Sequence, residues 1–184
     1  MYCLIIICLY IILMYSTKLS FVLPTKNEEA TIEFIIKKIN SIAEKIDSIP
    51  VNIIVTSDSH DNTDEICKKF ENVTLVDGKN KGLGYAMYIG LKKAASLNTT
   101  YICSLDSDGQ VDLEEIDIFY KEILKGENQL ILGSRFLKKD LIKYKYKFLN
   151  NLGTKILRLM INFKTKLNIT DSHGGIRIMK SEVA

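Results

Sequence analysis

Two aspartates one residue apart, Asp106 and Asp108, are the side chains in this chain best suited to bind a metal ion. They follow a short apolar run, so we expect them in a turn at the end of a strand. Their carboxylate oxygens are hard ligands that suit Mg²⁺ or Mn²⁺, and such sites usually also use phosphate oxygens of a substrate. The pair therefore favours a nucleotide diphosphate as ligand, although Ser107 and Gly109 also fit a plain turn.

Other predicted strands also end in polar or glycine-rich loops, at residues 24–29, 56–63, 80–86 and 133–135. The first two loops are typical of connections that lead into a capped helix. In the third, Gly82 and Gly84 let the backbone approach a ligand closely at a helix N-terminus. In the fourth, the guanidinium of Arg135 suits a second anionic group.

Alternating strand and helix patterns place these loops on one edge of a sheet. Strands are predicted at residues 19–23, 51–55, 73–76, 101–105 and 130–132. The first helix is predicted to be capped by Asn27, with Glu28 and Glu29 in its first turn. The order predicts an α/β fold with a parallel sheet covered by helices on both faces. Ligands bind at the carboxyl ends of such strands, which is where the polar loops lie.

Composition excludes several classes of protein. The chain is 47% hydrophobic and 26% charged, which is typical of a globular domain. Only two histidines are present, which argues against a multi-histidine metal site. The four cysteines form no CxxC pair, so we expect reduced thiols and neither a zinc ribbon nor a disulfide scaffold.

Charge is distributed unevenly along the chain. The net charge is +3, but residues 135–170 contain ten Lys or Arg and one acid, Asp140. This basic third favours an anionic partner, or is simply a solvated lysine-rich face. Interleaved aliphatic and aromatic residues suit a membrane surface with anionic headgroups. Nucleic acid is disfavoured because no nucleic-acid-binding motif is present.

The two ends of the chain differ from the middle. Residues 1–15 form an unbroken apolar run, which as a helix spans about 22 Å, short of the roughly 30 Å hydrocarbon core of a bilayer. Residues 1–16 are therefore expected to be a short membrane anchor, an apolar segment on a surface, or a spurious start before Met14. Residues 17–184 are expected to form one domain that is incomplete at its C-terminus.

Six segments together carry a resemblance to a known family. They are VLPTKNEEATI at 22–32, SDSHDNTDEI at 57–66, NKGLGYAMYIGLKKA at 80–94, SLDSDGQVDLEEI at 104–116, LGSRF at 132–136 and ITDSHGGIRI at 169–178. In this order and spacing they resemble the family 2 glycosyltransferases with the GT-A fold, and most of all the dolichol- or polyprenol-phosphate mannosyl- and glucosyltransferases. The resemblance runs from about Leu19 to the C-terminus. It implies a mostly parallel, Rossmann-like sheet with helices on both faces.

The resemblance also implies roles for individual residues. It gives a nucleotide-sugar site formed by Pro24, Thr25, Glu28, Ser57, Asp58, Lys81, Gly82, Asp106 and Gln110. Asp106 and Asp108 match the DXD pair that holds Mg²⁺ or Mn²⁺ with the diphosphate. Arg135, Lys147 and Arg177 are expected at the acceptor phosphate. The catalytic residues are expected to be Asp106, Asp108, Arg135 and Asp171.

Some positions depart from the family pattern. Thr56 and Ser57 stand where two acidic residues are usual, and Asp58 falls one place late. Lys26 stands where an aromatic residue is common, and Gly174 replaces a small hydroxyl residue. The contact with the nucleotide base, and hence UDP or GDP as the donor nucleotide, therefore stays open.

The implied reaction is metal-dependent, inverting transfer of a sugar from a UDP- or GDP-sugar to a polyprenyl phosphate at the cytoplasmic face of a membrane. Two alternatives remain: transfer to a saccharide hydroxyl, with Asp171 as general base, and a non-catalytic domain that binds nucleotide sugars. A sugar-phosphate nucleotidyltransferase is disfavoured, because no glycine-rich loop with a basic residue directly follows the first predicted strand.

Overall fold

The computed structural model describes residues 18–46, 50–134, 136, 148–172 and 174–184. The strands in these ranges are β1 (Leu19–Thr25), β2 (Val51–Ser57), β3 (Val73–Asp77), β4 (Tyr101–Leu105), β5 (Leu130–Leu132) and β6 (Ile176–Lys180). The helices are α1 (Ile32–Lys45), α2 (Thr63–Cys67), α3 (Leu83–Ala95), α4 (Ile116–Leu124) and α5 (Phe148–Thr165). Short 3₁₀ turns cover Leu113–Glu115 and Ser181–Val183.

All six strands form one sheet in the order β3-β2-β1-β4-β6-β5. β1 pairs in parallel with β2 and β4, and β2 pairs in parallel with β3. β6 lies antiparallel between β4 and β5, so β5 runs in the same direction as β4. The carboxyl ends of β1 to β5 and the beginning of β6 therefore lie at one edge, which we call the carboxyl edge. The predicted mostly parallel sheet is confirmed.

Helices cover both faces of the sheet, as predicted. On one face, α1 contributes a full stripe of isoleucines to a core whose buried residues also come from α4 and from four strands. On the other face, Ala94 of α3 packs with Val22, Ile54, Ile102 and Met179. The strands are apolar on both faces because helices cover both faces of the sheet.

The start of the first helix differs from the prediction. α1 begins at Ile32, with Thr31 at its N-cap position. Asn27 has a left-handed φ of 57° and therefore does not cap it, and Glu28 lies in a separate turn. The predicted capping role of Asn27 is thus wrong, because its side chain binds the neighbouring loop after β2 instead.

Several predictions fall on residues outside the described ranges. They concern the apolar segment 1–16, Arg135 and Lys147. Within the described ranges, no helix combines the length and apolar character needed to cross a membrane. Cys67 and Cys103 are free and buried, as expected for reduced thiols.

Candidate active site

The candidate site is built on the loop after β4, which carries both predicted metal ligands. Asp106 is half-buried and Asp108 is exposed. The Asp106 N–H donates to the Gly175 carbonyl oxygen at 3.2 Å, which ties this loop to the start of β6. The Asp108 carboxylate accepts the Gln110 N–H at 2.9 Å, so the loop turns at once after the second aspartate.

Ser107, between the two aspartates, holds the loop against β1. Its side chain is buried, and its hydroxyl donates to the Pro24 carbonyl oxygen at 2.9 Å. The Thr31 hydroxyl oxygen lies 2.9 Å from the Ser107 carbonyl oxygen and 3.0 Å from the Glu28 carboxylate. The loops after β1 and β4 are therefore fixed to each other through Thr31 and Ser107.

The loops after β1 and β2 bind each other along their length. The Glu28 N–H donates to the Thr63 hydroxyl at 2.9 Å, and the Glu29 N–H donates to the Asp61 carboxylate at 3.2 Å. In return, the Glu29 carboxylate accepts from the backbone and side chain of Asn62. Burial opposes ionisation of Asp61, but hydrogen bonds from Thr63 and the Glu29 N–H hold its pKa below the ordinary value.

Asp58 lies between the loops after β2 and β3. It is buried, its N–H donates to the Thr25 carbonyl oxygen at 2.9 Å, and its carboxylate accepts the Asn80 N–H at 2.9 Å. A Cβ at Gly78 would lie only 2.2 Å from Asp58 Oδ1, so the backbone closes directly over this carboxylate. Ser57 instead donates to Asp64 at 2.5 Å. An acidic group is therefore present at this end of β2, one place later than the family pattern.

The third loop leads into α3 at the carboxyl edge. Gly82 is the N-cap of α3, and its carbonyl oxygen accepts the N–H groups of Tyr85 and Ala86. The Lys81 ammonium lies 4.8 Å from the centroid of the Tyr85 ring. A lysine beside a helix N-terminus is a suitable place for an anionic group.

On the opposite side of the Asp106 loop, the chain between α5 and β6 closes against the end of β5. A Cβ at Gly174 would lie 2.0 Å from the Gly133 carbonyl oxygen, so only glycine fits this contact. Asp171 is buried, whereas Arg177 is half-buried in β6 opposite Ser104 and Leu132. Gly174 therefore departs from the family pattern for a steric reason.

The oxygen donors of the Asp106 loop suit a divalent cation that a diphosphate helps to hold. Within the described ranges, no group of three His, Cys, Asp or Glu side chains is assembled as a ready metal site. Asp106 Oδ2 faces the bare backbone at Gly175, where a Cβ would be only 3.2 Å away. Two carboxylates one residue apart, of which Asp108 is exposed, suit Mg²⁺ or Mn²⁺ that takes its remaining ligands from a substrate and water.

The structure thus brings most of the predicted site residues to one edge. It also shows contributors that the sequence analysis missed, namely Thr31, Ser107 as a structural link, and the pair Glu29 and Asp61. A serine between the two predicted metal ligands was a signal for the second of these. Nothing local in the sequence pairs Thr31 with a residue 76 positions away.

A mostly parallel sheet with carboxylates and a glycine-rich loop at its carboxyl edge defines an α/β domain whose ligand site is expected at that edge. More particularly, the chain belongs to glycosyl transferase family 2, whose family model matches residues 20–184. A relative from Methanocaldococcus jannaschii, named uncharacterized protein MJ1222, is 31% identical over 89% of this chain and 65% of its own length. A UDP-N-acetylglucosamine–dolichyl-phosphate N-acetylglucosaminyltransferase from Methanococcus voltae is 29% identical over 85% of this chain and 66% of its own length. The chain thus spans about two thirds of these relatives.

A solved structure shows the same fold. Glucosyl-3-phosphoglycerate synthase from Mycobacterium tuberculosis, in complex with Mg²⁺ and UDP, superposes with a TM-score of 0.64 and 17% identity. The match covers 91% of this chain and 57% of that one. The GT-A fold implied by the resemblance is therefore confirmed.

Proposed function

We propose that this chain transfers a sugar from a nucleotide-diphosphate sugar to a polyprenyl phosphate, with inversion at the anomeric carbon. The observation that carries the proposal is the Asp106–Asp108 loop, fixed at the carboxyl edge between the nucleotide-side loops and the start of β6. Membership of glycosyl transferase family 2 and the name of the M. voltae relative, which specifies a dolichyl-phosphate acceptor, support it.

The donor nucleotide is proposed to lie over the carboxyl ends of β1, β2 and β3. Pro24 and Thr25 form its floor, and Asp58, whose buried carboxylate accepts the Asn80 N–H, shapes the loop that borders the base or ribose. Ser57 is already bound to Asp64, so its role is to support the loop. Glu28 borders the pocket, and Lys81 with Gly82 at the start of α3 faces the charged part of the donor.

Asp106 and Asp108 are proposed to hold Mg²⁺ or Mn²⁺ together with the diphosphate, with Gln110 beside them. Such an ion neutralises charge on a departing nucleoside diphosphate. The structure of the M. tuberculosis enzyme in complex with Mg²⁺ and UDP supports this choice. Ser107 and Thr31 keep both carboxylates in place relative to the donor pocket.

The acceptor is proposed to enter beside β5 and β6. A phosphate group is largely ionised near neutral pH, with a second pKa around 6, so it needs positioning more than a general base. Arg135, Lys147 and Arg177 supply the positive charge. Asp171 is buried, which favours a structural role over proton transfer. A lipid acceptor places the protein at a membrane surface, and we propose its cytoplasmic face.

A thermal-shift experiment tests the donor site. UDP or GDP with Mn²⁺ should raise the melting temperature, whereas Mn²⁺ alone should have little effect. Asp108→Asn should abolish the shift without lowering the melting temperature of the free protein, since Asp108 is exposed. An unchanged shift in this variant would remove the metal role of the loop.

Transfer assays test the acceptor. Charge-assisted bonds to phosphate contribute roughly 1.5–3 kcal/mol each, so Arg135→Ala should reduce transfer to polyprenyl phosphate about ten- to a hundredfold and leave nucleotide binding intact. Arg135→Lys should recover little, because the bidentate fork is lost. If instead Asp171→Asn, folded by its melting temperature, is inactive while Arg135→Ala is active, the acceptor is a saccharide hydroxyl.

A further inference from the structure

Helix α5 turns its apolar face outward. The apolar side chains at helical spacing along this face are all exposed: Leu152 by 45%, Ile156 by 50%, Leu159 and Met160 by 63%, and Phe163 by 90%. Leu167, just after the helix, is 69% exposed. An ordinary surface helix buries this face, and α1 does so with its isoleucines. The exposed stripe on α5 is therefore a contact surface, because a contiguous exposed apolar patch marks an interaction site.

The polar side of α5 faces the segment that leads from the helix to β6. Arg158 donates to the Thr170 carbonyl oxygen at 3.3 Å, and Asn162 exchanges hydrogen bonds with the backbone of Ile169 at 3.0 and 2.8 Å. The Thr170 hydroxyl in turn donates to the Ser134 hydroxyl at 2.7 Å, at the end of β5. These bonds fix which side of the helix packs on that segment, and the Thr170–Ser134 bond joins the segment to the end of β5 at the carboxyl edge.

Charge identifies what the outward face fits. On a helical wheel, Lys155 and Lys164 lie at the two borders of the apolar stripe. No Asp or Glu occurs from residue 141 to residue 170. Lysines at the borders of an apolar stripe extend their ammonium groups towards anionic headgroups while the stripe enters the acyl boundary. A second copy of the same face would bring like charges together, which disfavours self-association.

We infer that α5 lies flat on an anionic lipid surface, with Leu159, Met160 and Phe163 inserted and Lys155 and Lys164 at headgroup level. A helix of this length extends about 27 Å along the surface. The inference names the surface by which the proposed enzyme reaches a lipid-linked acceptor, and it rests on the proposed function only in that respect. Binding to lipid is measured without donor or acceptor. A failure of lipid binding by α5 is therefore distinguishable from a failure of the proposed sugar transfer.

The absence of tryptophan from the sequence makes a site-specific test possible. Phe163→Trp in the full chain places one fluorophore on the outward face. With phosphatidylcholine–phosphatidylglycerol vesicles, its emission should shift to the blue, and lipids brominated on their acyl chains should quench it. Phe34→Trp on α1 is the matched control, because Phe34 is also exposed, by 64%, and should show neither effect. If the indole of the Phe163→Trp variant stays in water while the chain sediments with vesicles, another segment binds the lipid and the inference is wrong.

Vesicle sedimentation gives a second measurement. Leu159→Gln with Phe163→Gln should weaken binding at least about tenfold, because burial of such side chains stabilises each by about 1.5–3 kcal/mol. Phe34→Gln with Ile118→Gln is the control pair of similar exposure, and it should bind like the unmodified chain. Equal binding by both double variants would overturn the inference.

Charge reversal separates a lipid surface from other occupants. Lys155→Glu with Lys164→Glu should weaken binding to anionic vesicles about tenfold or more, since each cation near such a surface contributes about 1 kcal/mol. Lys92→Glu with Lys93→Glu on α3 should have little effect. If light scattering instead shows a dimer that the Leu159→Gln, Phe163→Gln variant dissociates, the face is an interface between copies and the lipid inference is wrong.

Discussion

At the scale of single residues, one hydroxyl holds the proposed metal loop in place. Ser107 is buried, and its hydroxyl donates to the carbonyl oxygen of Pro24. Proline has no backbone N–H, so its carbonyl oxygen is the only backbone group of Pro24 that can bind this loop. We predict that Ser107→Ala lowers the free energy of unfolding by about 1–3 kcal/mol, because a buried acceptor loses its partner. Chemical denaturation measures this loss, and a change below about 0.5 kcal/mol would show that water replaces the bond.

Thr31 allows a finer test of the same connection. Thr31→Val keeps the shape of the side chain but removes the contact with the Ser107 carbonyl oxygen at 2.9 Å. We predict that it weakens binding of UDP with Mn²⁺ by up to about tenfold, the value of a typical hydrogen bond. Calorimetric titration measures the affinity.

Thr31→Ser is the matched control for that experiment, because it keeps the hydroxyl. It should bind UDP with Mn²⁺ within about twofold of the unmodified chain. Weakening in Thr31→Ser but not in Thr31→Val would indicate that packing of the Thr31 methyl group near Gly109, rather than the hydrogen bond, supports binding, and would contradict the prediction.

The residues that the sequence could identify are those whose chemistry is local. Asp106 and Asp108 could be predicted as metal ligands because two carboxylates one residue apart suit a cation whatever surrounds them. The role of Asn27 was mispredicted because its side chain has two possible partners, a helix start nearby in sequence and the loop after β2, 33 residues away. Local propensity favours the first, but the loop pairing determines the outcome.

At the scale of elements, α3 approaches the sheet so closely that one position must be glycine. A Cβ at Gly90 would lie 2.5 Å from Val22 Cγ1 and 3.0 Å from Thr56 Cγ2. We predict that Gly90→Ala lowers the free energy of unfolding by about 1–3 kcal/mol, because overpacking outweighs the better helix propensity of alanine. Thermal unfolding should show a lower melting temperature.

Gly153 on α5 provides the control for this prediction. Nothing lies within 4 Å of a Cβ there, so Gly153→Ala should raise stability by up to about 1 kcal/mol. Opposite signs for the two substitutions support the close packing of α3. A stabilising Gly90→Ala would mean that α3 lies farther from the sheet.

The elements best predicted from sequence are those with a strong and continuous pattern. β4 and β5 were predicted at the residues where they occur, because an apolar strand run is recognisable without a distant partner. The placement of β6 between β4 and β5 was not predicted. It depends on pairs such as Tyr101 with Lys180, which are far apart in the sequence.

At the scale of the whole molecule, the described fold begins at Lys18 and the proposed site lies entirely after it. We predict that a chain starting at Met14 folds and shows the same melting-temperature increase with UDP and Mn²⁺ as the full chain. Circular dichroism and the thermal-shift assay measure this. If the chain that starts at Met14 is unfolded, the prediction is wrong and residues 1–13 contribute to the core.

The position of β6 also sets an order for biosynthesis. When β4 has left the ribosome, β3, β2, β1 and β4 can already pair, because their partners are all present. β5 has no neighbour in the sheet until β6 appears. That is about 70 residues after β4, or several seconds of synthesis at about 5–20 residues per second. During this interval the open edge of β4 is exposed to chaperones and to other nascent chains, and the proposed acceptor side of the site forms only after β6 has paired.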